Sequence, residues 1–164
     1  MDDGSGQEIL CTDTKIGDCQ MINVTQKSAK RFGIRWQNVA ERKGDYWKID
    51  VFMIGRIPML LLIHEYTLFT LLRRKSEYKT VEAVAEEIRM ASPWYRYDGE
   101  VSVGKNTDRR LTGSINEMKK VLRSFHSPEQ INAMEMTVNG ILLSYLAEKK
   151  GDYRTPFEAV ELYV

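Results

Sequence analysis

The chain has 164 residues, of which 43% are hydrophobic and 29% charged, and a net charge of +1. That is the size and balance of one ordinary folded domain; it excludes a disordered polar chain and a small scaffold that needs disulfides or metal to fold. A net charge near zero names no partner, so the distribution of charge along the chain carries more.

Residues 1–20 hold Asp2, Asp3, Glu8, Asp13 and Asp18 against Lys15 and are expected to form an acidic appendage to a domain over residues 21–164. The acidic start is unlike the basic, then apolar, pattern of a secretion signal. Cys11 and Cys19 are too few for a secreted disulfide framework and read as reduced thiols of a cytoplasmic protein. No membrane contact is expected, because the most apolar run, Ile57 to Leu72, is short and interrupted by Pro58, His64 and Glu65.

Met21 to Thr25 reads as a strand and Gln26 to Phe32 as a helix ended near Gly33. Trp47, Ile49, Val51 and Met53 alternate with Lys48 and Asp50, the signature of a strand over 46–54. Gly55-Arg56 predicts a hairpin turn, with Pro58 at the start of the next strand, where a missing N–H does least harm. Met59 to Ile63 is continuously apolar and is expected to be central and covered on both faces. His64-Glu65-Tyr66 then turns the chain into a third strand, Thr67 to Leu72, and the three strands make an antiparallel meander.

Thr80 is placed to cap a helix that buries Val81, Val84, Ala85 and Ile88 and ends before Pro93. Asp98-Gly99 predicts a second hairpin turn, between residues 95–97 and 100–103. Residues 105–113 are expected to be a basic loop. Ser114 to Glu117 has the spacing of a capping box, opening a helix with Ile115, Met118, Leu122 and Phe125 on one face. Ser127-Pro128-Glu129-Gln130 has the same spacing and predicts the longest helix, through about Lys150, with Gly151 as its C-cap. Thr155 to Glu158 opens a last short helical turn. The fold class that follows is α+β: an antiparallel meander packed against several helices, with a long C-terminal helix.

The chemistry of cofactors and catalysis leaves little trace. His64 and His126 are the only histidines, and the position four residues after His64 is Leu68, so a zinc-protease pair is absent. Gly104-Lys105 lacks the upstream glycine and following Ser or Thr of a phosphate loop. No cofactor and no catalytic set is expected. Asp98, Glu100 and Lys105 resemble a metal-dependent nuclease set only weakly, since a turn explains Asp98. Two segments are basic: residues 27–43 carry Lys27, Lys30, Arg31, Arg35, Arg42 and Lys43 against Glu41. Residues 102–125 carry Lys105, Arg109, Arg110, Lys119, Lys120 and Arg123 against Asp108 and Glu117. Aromatic residues are interleaved at Phe32 and Trp36, as phosphate-binding surfaces often have them.

Met21 to Phe125 as a set resembles a family of small bacterial and phage-type proteins, a domain family of unknown function. The resemblance rests on Ile22-Asn23-Val24-Thr25-Gln26-Lys27, Trp47, Ile54-Gly55-Arg56 and the Leu62 to Phe69 block. Its most specific part is Arg109-Arg110-Leu111-Thr112-Gly113-Ser114-Ile115-Asn116-Glu117-Met118. It implies an α+β fold and no particular activity, and it directs attention to Arg56, Thr67, Arg109, Ser114 and Asn116.

With a stable fold and no catalytic set, the leading expectation is a non-catalytic binding protein whose partner is another protein. The alternatives are nucleic-acid binding through segments 27–43 and 105–123, and a small-anion binder or enzyme at a 105–117 corner. In that corner Arg109, Arg110 and Asn116 surround a helix N-terminus.

Overall fold

The computed structural model describes residues 19–36, 40–42, 46–95, 100–106, 109–141 and 154–163. The expected hairpin turn at Asp98-Gly99 and the expected helical run from 142 to 151 lie outside these residues, as do residues 1–18, including Cys11.

Six strands form one sheet: β1 (Cys19–Val24), β2 (Ala40–Arg42), β3 (Trp47–Ile54), β4 (Ile57–His64), β5 (Thr70–Arg74) and β6 (Glu100–Asn106), in the order β2-β6-β1-β3-β4-β5. The helices are α1 (Gln26–Arg31), α2 (Val81–Ala91), α3 (Arg109–Arg123), α4 (Ile131–Asn139) and α5 (Pro156–Tyr163). The class is α+β. The meander is present, since β3 pairs antiparallel with β4 and β4 with β5. The sheet as a whole is mixed rather than antiparallel: β1 runs parallel to both β3 and β6, and β2 parallel to β6. β1 starts at Cys19, which pairs with Glu100, so the sheet takes in the last two residues of the expected appendage.

The alternation in β3 sorts its side chains onto two covered faces. Trp47, Ile49 and Val51 join Ile22, Val24, Leu60, Leu62 and the buried face of α2 in one core. Phe52 and Ile54 join Met59, Leu61, Ile63, Leu72 and the buried stripes of α3 and α4 in the other. β4 is central and buried on both sides, as its unbroken apolar run requires. Gly55 closes the β3–β4 hairpin at φ +61°, a value that favours glycine at the first position of a two-residue loop. Pro58 lies opposite Met53 and beyond Arg74, where no β5 partner asks for its N–H.

The third meander strand begins later than expected, at Thr70 rather than Thr67. Leu68, with φ +61°, closes a turn in which its N–H donates to the His64 carbonyl at 2.7 Å. Full burial of the Leu68 side chain offsets the strain of that left-handed conformation. The outer edge of β5 is covered by side chains instead of another strand. Asn139 accepts from the Thr70 N–H and donates to its carbonyl, both at 2.8 Å, and Glu135 accepts from the Leu72 N–H. Arg73 bonds Glu87 of α2 at 2.8 Å and Glu135 of α4 at 2.7 Å. Burial alone would lower the Arg73 pKa; its bonds to the two carboxylates, and their charges, outweigh that and raise it.

Two expected capping boxes are replaced. α3 starts at Arg109 and runs through Gly113 and Ser114. Leu111, Ile115, Met118 and Leu122 form one fully buried stripe, and burying Leu111 at the same period extends the helix past the Ser114 cap. Ser127 precedes a short 3-10 turn, Pro128–Gln130, without a side-chain cap bond. The helix that follows ends at Asn139, with Gly140 as its C-cap, so it is short. A capping box does form at α5: the Thr155 N–H donates to Glu158 at 2.8 Å, and the Glu158 N–H to the Thr155 hydroxyl at 3.1 Å.

Gly113 therefore stands inside a helix, exposed, with open space where a Cβ would go. Gly113→Ala is expected to raise stability by about 0.4–1 kcal/mol in urea unfolding. A loss of stability would mean that the helix does not run through this position.

Candidate nucleic-acid interface

The three parallel strands β1, β6 and β2 end on the same side of the sheet. Register fixes this: Val24 pairs with Lys105, and Arg42 with Asn106. The β3–β4 hairpin tip and the end of β5 lie on that side too, since Ile54 faces Ile57 and Met59 faces Arg74. Arg42, Lys105 and the start of α1 are thereby carried to one end of the sheet.

α1 is fastened there by one hydroxyl. β1 stops at Val24, opposite Ile49, while β3 continues. Ser28 takes over: its Oγ donates to the Ile49 carbonyl at 2.8 Å and accepts from the Val51 N–H at 3.1 Å and the Thr25 hydroxyl at 2.8 Å. That is the full bonding capacity of a serine hydroxyl. Thr25 caps the helix by accepting the Ser28 N–H at 3.0 Å. With Ser28 and Ala29 turned inward, Lys27, Lys30 and Arg31 face solvent.

Beyond α1, Gly33 turns the chain at φ +69°, Arg35 is exposed, and Trp36 is half-buried. Lys105 of β6 holds its Nζ 4.5 Å from the Trp36 ring centroid. Lys75, just after β5, holds its Nζ 4.6 Å from the Phe32 ring and donates to the Tyr78 carbonyl. Arg56 is exposed at the hairpin tip. Beside it, Arg123 lies over the Phe52 ring with its Nε 3.4 Å from the Met53 carbonyl. Glu41 of β2 is the register partner of Lys105, and Glu77 and Glu129 are exposed in the segments that follow β5 and α3. Among the described residues, none of Lys27, Lys30, Arg31, Arg35 and Arg56 forms an ion pair.

The last turns of α1 and α3 carry favourable cations, Lys30 and Arg31, and Lys120 and Arg123, but their first turns run against helix electrostatics. A helix N-terminus carries partial positive charge and favours Asp or Glu. Neither α1 nor α3 has an acidic residue in its first turn. α1 has Lys27 there instead, and α3 opens with Arg109 and Arg110. An anion at this end would relieve both.

The residues singled out from the sequence do not form one pocket. Arg56 lies beside the C-terminal end of α3, whereas Arg109 and Arg110 open that helix, about 20 Å away along its axis. Asn116 is exposed on α3, and Ser114 is in mid-helix. Thr67 is buried at the opposite end of the sheet. There its Oγ1 lies 2.8 Å from His64 Nδ1 and accepts the Phe69 N–H at 3.2 Å. His64 is thus a hydrogen-bonded residue at a strand end, as expected, and Trp47, Trp94, Tyr95 and Tyr163 ring it at 5.1–5.3 Å.

Sequence reading missed a buried polar row on the sheet. Asn23, Lys48, Asp50, Glu65 and Ser102 are all nearly inaccessible. Asn23 donates to Glu65 at 2.8 Å, and Asp50 pairs with Lys119 of α3 at 2.5 Å. The signal was present in the polar alternation of β3, which sets Lys48 and Asp50 on one face but does not show that this face is covered. A comparison with protein-family models and with curated proteins finds no match to this chain.

Ser28→Ala leaves the Ile49 carbonyl and the Val51 N–H buried without their partner. It is expected to cost about 1–3 kcal/mol in denaturant unfolding. A cost below a few tenths of that range would show that α1 is not held by this hydroxyl.

Proposed function

We propose that this protein binds nucleic acid, without catalysing a reaction on it, through the basic end of the sheet. The single observation that carries the reading is the parallel register of β1 with β6, which sets Lys105 beside Val24, two residues before the cationic helix α1. The unpaired cations of α1 and its flank, and the inverted charge at the start of α3, support it. Helix electrostatics gains from Lys30 and Arg31 in the last turn of α1 but not from Lys27, Arg109 or Arg110, and a phosphate backbone would offset those three.

Binding of a labelled oligonucleotide is expected to fall steeply with salt, as counterion release requires. Replacing Lys27 and Arg35 by Ala is expected to weaken binding of every sequence alike, and to reduce the salt slope by about two, without loss of stability. Binding that is indifferent to salt, or to these two substitutions, would remove the proposal.

A second reading, recognition of another protein, is favoured by the opposite end. Tyr66 and Leu162 are 64% and 68% exposed, and Phe157 is 42% exposed. Tyr66 and Phe157 belong to an aromatic group in which Tyr66 meets Tyr163 at 5.7 Å and Phe69 meets Phe157 at 6.2 Å. Large apolar side chains grouped in the open mark interaction surfaces. On this reading a partner retained at high salt is lost from Leu162→Ser with Tyr66→Ser, at unchanged melting temperature.

A further inference from the structure

Resting on the nucleic-acid reading, we infer that the ligand is a single strand, and that Trp36 and Phe32 are base-stacking rings from which Lys105 and Lys75 withdraw on binding. Both rings are half-buried and pack against the core on one side. Each carries an ammonium over its face, at 4.5 Å and 4.6 Å. Each also follows directly on an exposed arginine, Arg31 before Phe32 and Arg35 before Trp36. Ring and cation therefore alternate along this surface, the arrangement by which proteins take bases on aromatic faces and phosphates on cations.

The exchange is chemically simple. Lys75 and Lys105 are half-buried, and an ammonium–ring contact there is no stronger than a base stacked on the same ring. A base laid on Trp36 displaces the Lys105 ammonium, which swings to the adjoining phosphate, so the ring gains a better partner and the cation an anionic one. No covalent step is involved.

A duplex fits this end poorly. Reading a major groove takes a helix or ribbon that stands clear of the body. α1 has six residues, is roughly 9 Å long, and is tied to β3 by Ser28. In a duplex, moreover, the base faces are already stacked on one another and cannot reach the two rings.

The test uses the full chain with two probes of equal length, an oligothymidine strand and a mixed-sequence duplex, each titrated across a range of salt. The expected result is tighter binding of the strand, with Trp36 emission quenched on binding. Trp36→Ala is expected to weaken strand binding about tenfold, and Trp36→Phe to restore most of it. Lys105→Gln keeps the ring and tests the exchange without risk to the core. It is expected to lower the salt slope for the strand by about one. Equal or tighter duplex binding overturns the single-strand inference while leaving the basic-end reading standing. So does strand affinity unmoved by both Trp36→Ala and Lys105→Gln. Binding of neither probe overturns both.

Discussion

The structure depends on β1 being paired in parallel on both sides. A strand of six residues lies between β3 and β6, and both neighbours run its way. Parallel neighbours must release their chains at the same end, so α1 after β1 and α3 after β6 start from one side of the sheet. β1 is also too short to satisfy the full inner edge of β3. The Ser28 hydroxyl completes the ladder where the strand has stopped. One serine thus finishes the sheet and sets the angle at which α1 offers its cations to solvent.

The second organising constraint is the free edge of β5. An uncovered edge invites pairing with other chains. Here α4 supplies a substitute strand from side chains: the Asn139 amide exchanges both hydrogen bonds with Thr70, as a paired residue would. Arg73 then ties α2 and α4 to that edge through Glu87 and Glu135, linking the helical layers on the two faces of the sheet.

What was legible in the sequence was local. The meander could be read because its evidence is contiguous: the alternation from Trp47, the turn at Gly55-Arg56, Pro58, and the apolar run from Met59. The cap at Thr80 was equally direct, and the Thr80 hydroxyl accepts the Ala83 N–H at 3.1 Å. The pairing of β1 with β6 was not legible, because it joins segments some 80 residues apart and depends on which strands share an edge. Ser114 misled for a physical reason. A capping box and a mid-helix Ser-x-x-Glu have the same spacing, and only the burial of Leu111 one turn earlier separates them. The candidate site was half legible. Both basic segments stood out in the sequence, but the pairing that sets Lys105 beside Val24 is a product of topology. The corner drawn around Arg109 and Asn116 had relied on a helix start that lies elsewhere.

The sheet has two unlike ends, and folding accounts for only one of them. At the aromatic end, Trp47, His64, Trp94 and Tyr163 pack against one another, and burial of those rings is itself stabilising. The basic end has no such return. Lys30 and Arg31 are well placed in the last turn of α1, where its dipole is negative, so stability alone accounts for those two. Lys27 is at the wrong end of the same helix, and Arg109 and Arg110 are at the wrong end of theirs. Acidic residues are available to the chain in nearly equal number to basic ones, 23 against 24, so composition does not force cations into these positions. Last-turn placement thus accounts for Lys30 and Arg31, and for Lys120 and Arg123 of α3, while Lys27, Arg109 and Arg110 oppose the dipoles of their helices without that return.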